Sequence, residues 1–133
     1  MAAALLATLA VAAPAWGDSV CPDNAQGFER LKVADMQIAY RWEPVELKVG
    51  QFFAAEVVDC STPGFPVDRI RIDATMPAHG HGMSYRPIAE RIAPGHHRFT
   101  GLMLHMPGTW RFTFTLFRAD VGIQLTHDVD LKQ

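Results

Sequence analysis

The stretch from Met76 to Met83 (MPAHGHGM) holds two imidazoles and two thioethers, and Leu104-His105-Met106-Pro107-Gly108 repeats the pairing further along the chain. Imidazole nitrogen suits copper in either oxidation state, and thioether sulfur suits the soft Cu(I) ion. In an oxidising compartment a thiolate is lost to disulfide formation, whereas a methionine ligand survives unless it is oxidised to the sulfoxide. The candidate metal ligands are therefore His79, His81, Met83, His105 and Met106, with Met76 and Met103 as further sulfurs inside apolar strand runs. Gly80 and Gly82 give the first loop the backbone freedom to aim its side chains. The same residue types also have plain structural uses. A turn histidine can hydrogen-bond a carbonyl, and a methionine can fill a gap in a core.

Other chemistries find no support. The chain has no G-x-S-x-G, no phosphate-binding glycine loop, no H-E-x-x-H and no C-x-x-C. Ser84 lies close to His81, but no acid in the same loop could orient that imidazole for nucleophilic catalysis. Asp73 and Glu90 are not visibly paired as acid and base. A formal net charge of −2 argues against nucleic acid or an anionic membrane surface as partner. These residues point to binding rather than to an enzyme.

The elements that would carry these residues read as strands. Met36, Ile38, Tyr40 and Trp42 alternate with Gln37, Ala39 and Arg41, and Ile70, Ile72, Ala74 and Met76 with Arg69, Arg71 and Asp73. Trp110, Phe112, Phe114 and Leu116 form the strongest such pattern. Phe52 to Val58 and Val121 to Leu131 add two more strands, and Pro87 makes Tyr85 to Ile92 an edge strand. Phe99 to Met106 is apolar on both parities, so its facing is open. Short strands with regular turns predict an all-β fold, an immunoglobulin-like antiparallel β-sandwich of about seven strands. Connections then alternate between its two ends, which brings Pro77 to Ser84 and His105 to Gly108 to the same end. His127, on the apolar parity of the last strand and roughly opposite Phe112, reads as a buried histidine satisfied by a neighbour. His96 and His97 read as exposed turn residues at the other end.

The chain start has a different character. Ala2 to Ala13 is an uncharged apolar run followed by Pro14-Ala15-Trp16-Gly17, the order of a secretory signal peptide over residues 1–17, although no Lys or Arg precedes the run. Residues 18–133 are then a single exported domain, expected in the periplasm. Val20 before Cys21 does not suit lipid attachment. Cys21 and Cys60, an even count in an oxidising compartment, are expected to form a disulfide.

Val49-Gly50-Gln51, Asp73 to Met83 (DATMPAHGHGM) and Gly101 to Trp110 (GLMLHMPGTW) together resemble the YtkA-like/FixH-like group of exported β-sandwich domains, over roughly Leu47 to Val129. The resemblance implies an immunoglobulin-like fold and an accessory role outside the cytoplasmic membrane. FixH-like members are linked to assembly of copper-containing respiratory oxidases, so a copper ion is the implied ligand. FixH-like members carry a membrane anchor, whereas this chain reads as released. The expected partner is a periplasmic cuproprotein or redox enzyme. A rival expectation is an interaction module without metal, whose His/Met loops only brace one end.

Overall fold

The computed structural model describes residues 21–61 and 67–133. The segment assigned to a signal peptide and part of the turn after Cys60 lie outside these residues. Among the described residues nine strands form: β1 (Glu29–Val33), β2 (Met36–Glu43), β3 (Phe52–Asp59), β4 (Arg69–Met76), β5 (His81–Gly82), β6 (Ile88–Ala93), β7 (His96–Met103), β8 (Gly108–Arg118) and β9 (Val121–Leu131). They build two antiparallel sheets packed as a sandwich, ordered β1-β2-β3-β7-β6 and β5-β4-β8-β9. Seven of the nine correspond to the expected strands. β1 escapes the period-2 test because only Leu31 and Val33 alternate with Arg30 and Lys32, too short a run to register. β5 is only two residues long.

The core lies where the alternation put it. Met36, Ile38, Tyr40 and Trp42 from one sheet meet Ile70, Ile72, Ala74, Met76, Trp110, Phe112, Phe114 and Leu116 from the other, all buried. Trp42 is the aromatic hub, 4.5 Å from Phe112 and 5.8 Å from Phe53 between ring centroids. The apolar run of β3 has its own cause. Phe53 to Val58 are all buried because both faces of this strand are covered. The core lies on one side, and on the other Phe28 packs with Ala39, Val58, Cys21 and Cys60. The Cys21–Cys60 disulfide is present and holds this N-terminal strap to the end of β3.

In β7 the inward parity switches. The register with β3 shifts by one residue, a β-bulge at which Gly101 takes φ 78°, so Phe99 and then Leu102 both face the core. This is why Phe99 to Met106 is apolar on both parities.

His96 and His97 are not exposed turn residues; they open β7. The tight turn is Pro94-Gly95, which leaves both histidines inside the ladder. His97 is buried, and His96 Nε2 lies 2.6 Å from Glu56 Oε1 while Arg41 Nε donates to Glu56 Oε2 at 2.8 Å. Burial, helped by the charges of Arg91 and His96, holds the His97 imidazole below its ordinary value near 6.5. For Glu56 burial pushes upward, but hydrogen bonds from Arg41 and His96 outweigh it and leave the carboxyl below its ordinary 4.5. Both shifts have the same sign for stability. The unfolded chain takes up each proton first, so the stability these groups hold above their ordinary values is lost on acidification. His97 acts from pH 6.5 downward and Glu56 from 4.5 downward. A melting-temperature series over pH is expected to fall in those two windows. His97→Leu should flatten the first, and Glu56→Gln the second.

Candidate metal centre

β4 delivers Met76, buried, to one end of the sandwich, and the chain then reverses over Pro77 to Gly80. The N–H groups of His79 and Gly80 both donate to the Met76 carbonyl, at 3.1 and 2.9 Å. Gly80 closes the turn at φ 65°, a left-handed conformation that glycine adopts without a Cβ penalty. β5 then runs back along β4, with His81 opposite Met76 and Gly82 opposite Thr75. His81 is thus held by a ladder, while His79 stands exposed at the tip of the turn.

The second loop is braced from below. Gly50 N–H donates to the Leu104 carbonyl at 2.9 Å, and the buried Trp110 donates its Nε1–H to the Met106 carbonyl at 2.9 Å. Gly108 takes φ 126°, and a Cβ at that position would lie 2.8 Å from the Met76 terminal methyl. The two loops therefore meet through Met76 and Gly108. A side chain at Gly108 would be strained at that φ and would require the Met76 methyl to shift.

The result is a row of three imidazoles. His79 and His81 have ring centroids 5.7 Å apart and planes 22° apart; His81 and His105 are 5.3 Å and 28° apart. Trp110 supports the row, with centroids 5.4 Å from His105 and 6.3 Å from His81. Nε2 of His81 is buried and has no hydrogen-bond partner among the described residues. A buried polar atom left so forfeits about 1–3 kcal/mol, and an ion or water is the usual remedy.

The donors fit copper by type: three imidazoles, with thioethers close by in sequence. Among the described residues, no three His, Cys, Asp or Glu side chains are grouped so as to hold a metal ion together. His79 and His105 are exposed, and exposed side chains change rotamer within nanoseconds. His81, half-buried and held in the β4–β5 ladder, is the more fixed of the three rings.

The methionines are placed differently. Met106 is half-buried against the core and shares the loop of His105. Met83 also packs on the core and lines a groove with Asp73, Arg86 and Phe99 on one side of the sandwich. His127 does lie opposite Phe112, but it is half-buried rather than buried, with Nε2 3.8 Å from Glu29 Oε2. Glu29 lies on β1 and also accepts from the Tyr40 hydroxyl at 2.7 Å. Sequence reading missed Trp110 as part of the site. Its place four residues after Met106, where an indole can reach back to a carbonyl, was the available signal.

No family model matches the chain, and no curated protein matches it. Among solved structures, it is similar to the crystal structure of a DUF4426 family protein from Pseudomonas aeruginosa. The TM-score is 0.54 at 12% sequence identity, over 80% of this chain and 95% of that one. At that identity the likeness shows a shared β-sandwich fold. Among the described residues, no helix is long and apolar enough to cross a membrane.

Proposed function

We propose that the protein is an exported, periplasmic copper-binding accessory domain of the YtkA-like/FixH-like kind, which carries the ion at the histidine end of the sandwich. The observation that supports this most is the buried, unpartnered Nε2 of His81 between two exposed imidazoles from two different loops. The ion is cargo. His81 supplies the fixed donor, His79 and His105 close on it, and Met106 and Met83 are the thioethers at hand for Cu(I). Both cysteines are tied in the disulfide, so thiolate ligation is closed to this chain. The role is one of binding and delivery to a cuproprotein or redox enzyme rather than catalysis.

Copper titration followed by thermal melting tests this. A saturating ion at about a hundred times its dissociation constant stabilises the folded state by about 2.7 kcal/mol. The wild type is expected to melt higher with copper, and the His79/His81/His105 triple alanine variant to show no shift. Equal shifts in both, or none in either, would overturn the proposal. The bracing of both loops by Gly50, Trp110 and Met76 favours a second reading, a rigid docking end without metal. In that case copper leaves both melting curves unchanged.

A further inference from the structure

The two sides of the sandwich differ. On one side β1 and β9 meet through Glu29 and His127. On the other, β4 and β6 are the facing edges, and between them runs a groove of about 630 Å³. β4 pairs with β8 from Arg69 to Thr75, but on its outer edge it meets only the two residues of β5, at Thr75 and Met76. The Met83 N–H donates to the Ala74 carbonyl at 3.2 Å, which shows that Ala74 faces this outer edge. Backbone direction alternates along a strand, so Ile72 and Ile70 present their N–H and C=O groups to the same edge. No described strand pairs with them there. The Ala74 N–H is already taken by the Asp73 carboxylate at 2.8 Å, which closes the ladder above Ile72.

We infer that this edge takes an extended peptide segment of a partner protein as an added β-strand, with acidic residues alternating with apolar ones. Strand addition of this kind draws affinity from main-chain hydrogen bonds and specificity from alternate side chains. Residues of the added strand opposite Ile70 and Ile72 point inward, onto a groove floor that includes Ile70, Ile72, Ala89 and Phe99. Those opposite Arg69 and Arg71 point outward, on the face that carries these two arginines. Arg71 and Arg86, both exposed on the groove rim, have no carboxylate partner among the described residues, and Arg69 lies over the Phe117 ring at 4.1 Å. Against these three cations the groove holds one acid, Asp73, already engaged with the backbone. The rim is therefore basic on a chain of formal charge −2. The edge of β6 is protected differently: it is flanked by Pro87 and Pro94 and carries Glu90 and Arg91.

The test uses the full chain and two acetylated, amidated pentapeptides, Glu-Val-Glu-Val-Glu and Lys-Val-Lys-Val-Lys. The Glu peptide is expected to bind at least about tenfold more tightly, a difference of ~1.4 kcal/mol, and to slow hydrogen exchange at the Ile70 and Ile72 amides. Arg71→Glu, at an exposed position, should abolish or reverse the preference. N-methylation of the Val amides, which removes backbone donors and keeps every charge, should abolish binding. Equal binding of the two peptides, or binding without protection of Ile70 and Ile72, would overturn the inference. So would self-association of the chain through this edge in sedimentation, which would make a second copy the occupant.

Discussion

Trp110→Ala is expected to destabilise the protein by about 3–5 kcal/mol, the usual range for removing a large buried aromatic. Trp110 is fully buried in the strongest strand, and its indole carries the hydrogen bond to the Met106 carbonyl. The loss therefore has two parts, a cavity beneath the imidazole row and a loop carbonyl without its donor. Trp110→Phe separates them. It keeps most of the apolar volume and removes the N–H, so the expected cost falls to about 1 kcal/mol for the bond plus a small packing term. The Phe variant should also lose part of its copper-induced thermal shift, because His105 sits in the loop that the indole holds. Urea denaturation of both variants reads the difference. Equal costs would mean that the hydrogen bond, not the packing, dominates.

Removing the disulfide by the paired substitution Cys21→Ser and Cys60→Ser is expected to cost about 2–4 kcal/mol. The two cysteines are 39 residues apart in sequence, a long loop for the unfolded chain to regain. Reduction also frees the strap of Phe28 from Ala39 and Val58, so that the outer face of β3 meets water. Amide exchange should quicken first at Val58 and Phe28. The histidine row lies at the opposite end, and copper binding per folded molecule should be unchanged. A loss below about 1 kcal/mol would show that the strap is held by its apolar contacts alone.

Much of the architecture was legible because period-2 alternation is a direct print of one buried face. Met36 to Trp42, Ile70 to Met76 and Trp110 to Leu116 show it cleanly. The alternation of chain direction then brought the two His/Met loops to one end, and His81 and His105 do meet there. What stayed hidden has identifiable causes. The bulge at Gly101 switches parity within one strand, so no single period fits. β3 is apolar throughout because an irregular strap covers its second face, and such straps have no period to detect. His96 and His97 followed a turn signal closely enough to be read as part of it. For the ligands, composition located the loops but not the side chains. His79, His81 and His105 form one row, whereas Met83 turns onto a groove wall. The direction depends on the two-residue ladder of β5, and no sequence rule reaches that far.

The placement of the staple also gives the molecule a heading. Cys60 follows the last residue of β3, while Phe52, the first, lies at the histidine end beside Met103. Eight residues of strand separate the two ends by roughly 25 Å. Cys21 is therefore moored at the foot of the sandwich. The imidazoles occupy the other tip, the part of the domain farthest from its covalent staple.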